Sequence, residues 1–411
     1  MCIVRPTGPT AGHRPDSPRA WLVVAAAFVA GFVVFGITYS IGVFLEPIAA
    51  EFQVSRAAAS SLFSITGLVF YFSGPITGRL SDGFGPAIVV GAGALLTGAS
   101  LVLAGLLDRW WISYIVYGLG VGLGAACAYV PTLALVGGWF ERRRTTALGI
   151  AAAGTGCGML VVPPASAALT AEFGWRVAFT VLGVVCAALL AACAAMVAPP
   201  PLGGSNPHRP LHRIVRSRAF VLLYVSWVLA TTALFVPFVF LPAFALEQGA
   251  GLVAASALLS LFGGASILGR VSIGATSERI GIVALFKISV LIMAASYAVW
   301  LAATSYAALA GFAVVLGLAY GVRIALMPGV LIEAFGTQDL GAVLGLFFTA
   351  TGVAAAIGPI LAGTIVDHTG DFRWAVAFAL AMGLLGFAAV VALRFGCKTR
   401  IEVPVQRSHQ S

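Results

Sequence analysis

GRLSDGFG at residues 78–85 and GATSERIG at residues 274–281 stand 196 positions apart, and the same interval separates Gly149 from Gly345, Gly156 from Gly352 and Pro163 from Pro359. A polar motif between two apolar segments recurs, and then glycines and a proline inside later apolar segments recur in the same register. A constant offset of this kind marks an internal duplication. Each copy contains an even number of apolar runs, so the second begins on the same side as the first, and the interval predicts two parallel repeats.

Working outward from the motif, apolar runs occupy 20–45, 57–77, 87–106, 110–137, 145–168 and 174–198, and then 219–246, 253–273, 282–304, 306–332, 340–365 and 374–395. A helix needs about 20 apolar residues to cross roughly 30 Å of hydrocarbon. Each run is long enough, and together they leave only short loops. With 60% hydrophobic residues, 9% charged residues and a mean hydropathy of +1.04 over 411 residues, the chain is far from a soluble domain, which carries about a quarter charged residues. The expected fold class is an all-α membrane protein of twelve transmembrane helices. Its parts are a cytoplasmic tail at 1–19, a six-helix bundle at 20–198, a cytoplasmic linker at 199–218, a second six-helix bundle at 219–395 and a cytoplasmic tail at 396–411. The linker, PPPLGGSNPHRPLHRIVRSR, is the most polar and proline-rich interior stretch.

A formal charge of +9 can indicate nucleic acid, but here the bases sit in clusters between apolar runs, where they set topology. No nucleic-acid partner is expected. Placing both termini in the cytoplasm puts 17 bases on that side and leaves Arg56, Arg109, Arg176 and Arg373 opposite, which predicts a multi-pass protein of a cell membrane, inner or plasma, contacting lipid along its length. The loop after the tenth run departs from the rule, with Glu333 and Asp339 but no base. The cysteines, at 2, 127, 157, 186, 193 and 397, show no metal-ligand spacing. No metal or cofactor is expected. The glycines at 118, 120, 122 and 124 resemble a nucleotide loop only as a string; within an apolar run they let helices approach closely.

The repeated loop motif sets a carboxylate, Asp82 or Glu278, at the cytoplasmic end of a span, where it can meet a helix N-terminus or a base. Asp82, Arg142, Arg143, Glu278 and Arg279 are therefore candidate gating residues.

G-x-L-S-D-x-x-G at 78–85 resembles the signature loop of the major facilitator superfamily, and six plus six spans is that fold's arrangement. WFERRRTTALGIAAAG at 139–154 resembles the fifth-span signature of monocarboxylate transporters, with Phe140, Arg142, Arg143, Arg144, Ala147, Gly149, Ala151, Ala153 and Gly154 in register. Gly42-Val43-Phe44, Pro163-Pro164, VPFVFLP at 236–242 and Gly370-Asp371-Phe372 extend the similarity. The family's opening motif survives only as Asp16 and Trp21, so the resemblance is to the broad family. It implies a carrier of small organic anions working by alternating access.

Ionisable residues within a membrane are costly and usually functional. All 14 acidic residues and all 5 histidines fall in tails, loops or span ends, which leaves Arg270 and Arg323 as the deep charges. A guanidinium stays charged and can grip a carboxylate through two parallel bonds. Arg270 is the principal candidate, and it aligns with the span-8 arginine that holds the substrate carboxylate in monocarboxylate transporters and with a similar arginine in the oxalate:formate antiporter family. For Arg323, substrate binding, structural satisfaction and gating stay open. Tyr71, Tyr129, Tyr320 and Phe348 are candidates for cavity walls, with packing as the alternative.

Two departures bear on mechanism. The family's span-8 aspartate is Ser266 here, and its span-1 lysine falls on Tyr39. Ser266 and Arg270, four apart, share a helix face, and Tyr39 can donate a hydrogen bond, so carboxylate binding survives while the usual proton-handling pair is missing. Whether a proton or a counter-anion accompanies the substrate is left open. Competing readings are an exporter of hydrophobic or amphipathic compounds and a transporter-derived sensor or receptor. An intramembrane hydrolase would need a buried histidine or carboxylate, so no enzyme activity is expected.

Overall fold

The structure, a computed structural model, describes residues 17–140, 143–198, 214–272, 280–335 and 340–393, with backbone alone at 144, 145 and 340–342. Among these residues are 12 helices long and apolar enough to cross a membrane. In chain order they are α1 Pro18–Phe52, α2 Arg56–Phe84, α3 Pro86–Gly105, α4 Trp110–Trp139, α5 Arg144–Phe173, α6 Trp175–Met196, α7 Arg218–Glu247, α8 Leu252–Val271, α9 Ile282–Leu301, α10 Tyr306–Phe335, α11 Leu340–Thr369 and α12 Phe372–Val391. The chain is a multi-pass membrane protein. Being even in number, the spans bring the start of α1 and the end of α12 to one end of the molecule, here called the termini end.

Several boundaries differ from the sequence expectation for local reasons. Hydropathy ends the second run at 77, yet α2 continues through GRLSDGF to Phe84, because the first residue that breaks the helix is Gly85 at φ +89°, followed by Pro86 at the first turn of α3. That left-handed φ suits glycine, and proline suits a helix start. Asp82 thus rides on the last turn of a helix instead of in a loop, and it is exposed. The first span overruns its expected end at 45 and reaches Phe52, interrupted at Ser40. It therefore carries Glu46 and Glu51 in its final turns, beyond the apolar run.

Packing follows the duplication. Span 2 of the first half meets span 5 of the second, as α2 against α11; the reciprocal pair is α5 against α8, and α1 meets α7. In α4, Gly118 and Gly122 face Ile65, Thr66 and Val69 of α2, while Gly120 and Gly124 face Ser100, Thr97 and Gly93 of α3. Alternate glycines let one helix pack tightly against two neighbours, and a π-helical stretch at Tyr114–Val121 opens the same span.

Candidate functional site

The halves meet around a central cavity of about 190 Å³. Its walls include Phe35 and Tyr39 from α1, Tyr71 from α2, Tyr129 from α4, Ala152 and Thr155 from α5, Trp227 and Thr231 from α7, Arg270 from α8, Tyr320 and Arg323 from α10, and Phe348 and Thr351 from α11. The structure thus brings together Tyr39, Tyr71, Tyr129, Arg270, Tyr320, Arg323 and Phe348. Ser266 is not on the lining. It is fully buried, donates to the Gly263 carbonyl at 2.8 Å, and its backbone packs against Gly321 of α10. Its short side chain bonds back to its own helix, while the longer Arg270, one turn on, reaches the other half.

That reach defines Arg270. Its Nη1 donates to the carbonyl of Ala152 at 2.7 Å and to Thr155 Oγ1 at 3.0 Å, both on α5. Its Nε is buried without a partner. One corner of the guanidinium ties the two halves, and the rest of the fork is available to an acceptor.

Arg323 is held within the second half. Nη2 donates to Thr231 Oγ1 at 3.0 Å and to the Trp227 carbonyl at 3.3 Å, and the guanidinium carbon lies 3.9 Å from the centroid of the Trp227 ring. Trp227 is itself fixed by Nε1 donating to Thr351 Oγ1 at 2.9 Å. Under the 196-residue interval, Arg270 and Arg323 correspond to Gly74 and Cys127. Both charges therefore belong to the second half alone.

Aromatic rings close the cavity away from the termini end. Tyr39 stacks on Phe238 at 4.1 Å and packs near Phe63 and Phe235 on that side, whereas Tyr71 faces Phe348 across the halves at 6.0 Å nearer the termini end. Beyond them lies an ion cluster that joins the halves at the far end. Arg56 of α2 pairs with Glu46 at 2.9 Å and with Glu247 of α7 at 3.3 Å, and it sits 4.9 Å from the Phe372 ring of α12. Asp367 of α11 accepts from the backbone amides of Arg56 at 3.0 Å and Ala57 at 2.9 Å, so a carboxylate of one half caps a helix of the other. Within the first half, Arg176 joins Glu51 and Asp108, and Glu51 also accepts from Trp175 Nε1. At the termini end the cavity reaches Met327, Pro328 and Leu344.

Of the gating candidates, Arg143 precedes α5 and is exposed; Arg142, Glu278 and Arg279 lie outside the described residues. Sequence alone does not single out the far-end cluster or the threonines that partner the arginines. Arg56, Glu247 and Asp367 converge from three distant segments and carry no common motif. Of these threonines, Thr155 leaves a signal, since it stands 196 residues before Thr351, which holds Trp227.

Two parallel six-helix halves around a central cavity define the architecture of a secondary transporter. The sequence matches the Major Facilitator Superfamily over residues 27–298 and 273–409. It is 32% identical to monocarboxylate transporter 3 of Rattus norvegicus over 393 residues, covering 91% of this chain and 79% of that one. It is 30% identical to monocarboxylate transporter 13 of Bos taurus, covering 92% and 90%. A bacterial homologue of the human lysosomal transporter Spinster, solved inward-facing and occupied, superposes with a TM-score of 0.75 at 16% identity, covering 92% of this chain and 97% of that one, a likeness of fold. The chain belongs to the major facilitator superfamily and, within it, to the monocarboxylate transporter family.

Proposed function

We propose that the protein carries a small organic anion, a monocarboxylate of lactate or pyruvate size, across a cell membrane by alternating access, with Arg270 as the carboxylate anchor. The observation that carries this reading is the Arg270 guanidinium, bonded to α5 through Nη1 and facing the cavity between the halves with Nε unpartnered. A carboxylate that completes the fork binds at the seam that must rearrange, so occupancy and domain motion are linked. The cavity is smaller than the roughly 300–1,000 Å³ typical of drug-sized ligands, which favours a small solute over a bulky amphipath. The names of the relatives point the same way.

With both termini in the cytoplasm, the far-end cluster closes the outer side and the cavity leans inward. Described lining residues include no carboxylate and no histidine, so a coupled proton would travel on the substrate or on water. Proteoliposome counterflow of labelled pyruvate tests the proposal. Losing a charge-assisted partner costs about 1.5–3 kcal/mol, so Arg270→Gln should reduce uptake at least tenfold. Equal uptake by folded variant and wild type would sink the assignment. Uphill uptake driven by an imposed pH gradient would establish proton coupling.

A further inference from the structure

Arg323 is 1% exposed and, among the described residues, the one charged side chain that is buried. It lies 12 residues before the end of α10 at Phe335, so roughly 18 Å of helix separates it from the termini end. A guanidinium carries five N–H donors, yet the contacts of this one within the protein run through Nη2 and the ring face, and Nε and Nη1 are buried without partners. The Tyr297 hydroxyl, within electrostatic range of the guanidinium, is also buried and unpartnered. Three donors with no acceptor thus gather about one cation that opens on the central cavity.

Buried cations are retained where an anion or a full set of acceptors offsets them. Described lining residues supply no carboxylate, and Arg270 adds a second positive charge to the same cavity. One monocarboxylate on Arg270 leaves the charge of Arg323 unmatched. The stack on Trp227 and the bonds to Thr231 and the Trp227 carbonyl fix the plane of the guanidinium. Each fork of a guanidinium includes Nη2, so the unpartnered Nε and Nη1 diverge about that plane, and Nη1 offers a charge-assisted bond to one oxygen of a carboxylate or to a halide.

We propose that Arg323 forms a second anion subsite in the central cavity, holding one monovalent negative group beside the carboxylate on Arg270. The group is either the second carboxylate of a dianionic solute or a separate chloride ion. The proposal rests on the cavity and on the carboxylate role proposed for Arg270, but it assigns Arg323 a ligand of its own.

The test is a set of binding titrations on the purified full chain, read by thermal shift and calorimetry in chloride-free buffer, with pyruvate, malonate and chloride as probes on wild type, Arg323→Gln and Arg270→Gln. If chloride is the occupant, it should stabilise wild type and tighten pyruvate binding severalfold, and both effects should vanish in Arg323→Gln. If the solute brings both charges, malonate should bind at least tenfold tighter than pyruvate and compete with chloride, and Arg323→Gln should bring malonate to the pyruvate level. Wild type that ignores chloride and does not prefer malonate overturns the proposal, and that measurement decides even if Arg323→Gln does not fold. A folded Arg323→Gln that binds every probe like wild type overturns it too. An Arg323-dependent chloride effect without any Arg270-dependent carboxylate binding supports the second subsite and defeats the proposed function.

Discussion

Gly67 of α2 packs directly on Ala355 of α11, so that a Cβ on the glycine would stand 2.7 Å from the Ala355 Cβ. Gly263 of α8 meets Met159 of α5 in the same way, its added Cβ 2.8 Å from the Met159 Cβ. Both Gly67 and Gly263, and Met159 and Ala355, are separated by the 196-residue interval. The duplication first visible as a loop motif is therefore also the geometry of the seam between the halves, repeated about an approximate twofold axis.

Valine at Gly67 or Gly263 should force the halves apart at matching places. Overpacking costs about 1–3 kcal/mol, and thermal melting in detergent should show a loss of that order for each variant. Gly149→Ala and Gly345→Ala are the controls, since a Cβ at either position meets open space. If the controls melt as low as the seam variants, close packing is not the cause.

The fold was legible in sequence because lipid imposes long uninterrupted apolar runs and the duplication repeats small residues wherever helices touch. The cavity was partly legible. Deep charges are rare enough for Arg270 and Arg323 to stand out, and aromatic residues near mid-span marked four further wall positions. Ser266 shares a helix face with Arg270, but a shared face does not say whether a short side chain reaches the cavity or bonds back to its own helix. The far-end cluster was illegible: Arg56, Glu247 and Asp367 look like ordinary loop-end charges until three helices converge.

The far-end cluster should act as a weak latch. Arg56 and Glu247 are partly exposed, and exposed ion pairs contribute about 0.2–1 kcal/mol. The cap made by Asp367 falls in the range of about 0.5–2 kcal/mol lost when a helix cap becomes alanine, so Asp367→Ala should loosen closure more than Glu247→Gln. Ser60, whose hydroxyl donates across the seam to the Pro359 carbonyl at 3.0 Å, is the reporter. With the 6 native cysteines replaced, Ser60→Cys should react faster with an impermeant thiol reagent when Asp367→Ala is added. An unchanged rate would mean that the aromatic layer closes this end alone.

The charge distribution predicts an orientation with both termini in the cytoplasm. In intact cells, Arg109→Cys should be labelled by an impermeant reagent, and Arg216→Cys should be labelled only after permeabilisation. Both positions are exposed, at opposite ends of the bundle. The reverse pattern would place the termini outside and turn the cavity outward.

Thr155 and Thr351 occupy equivalent positions in the two halves but hold different partners, which allows a direct comparison. Thr351 Oγ1 accepts from Trp227 Nε1 within the second half, so Thr351→Val should strand a buried N–H and cost about 1–3 kcal/mol of stability. Thr155 Oγ1 accepts from Arg270 across the seam, and the Ala152 carbonyl holds the same Nη1 at 2.7 Å. Thr155→Val leaves that second acceptor in place, so it should cost less stability while letting the guanidinium swing. A loosened anchor weakens binding, and pyruvate affinity should fall severalfold. Melting and calorimetry on both variants separate the effects. If Thr155→Val lowers stability as much as Thr351→Val and leaves pyruvate affinity unchanged, the bond from Arg270 to α5 is a structural tie between the halves and does not aim the guanidinium at a substrate.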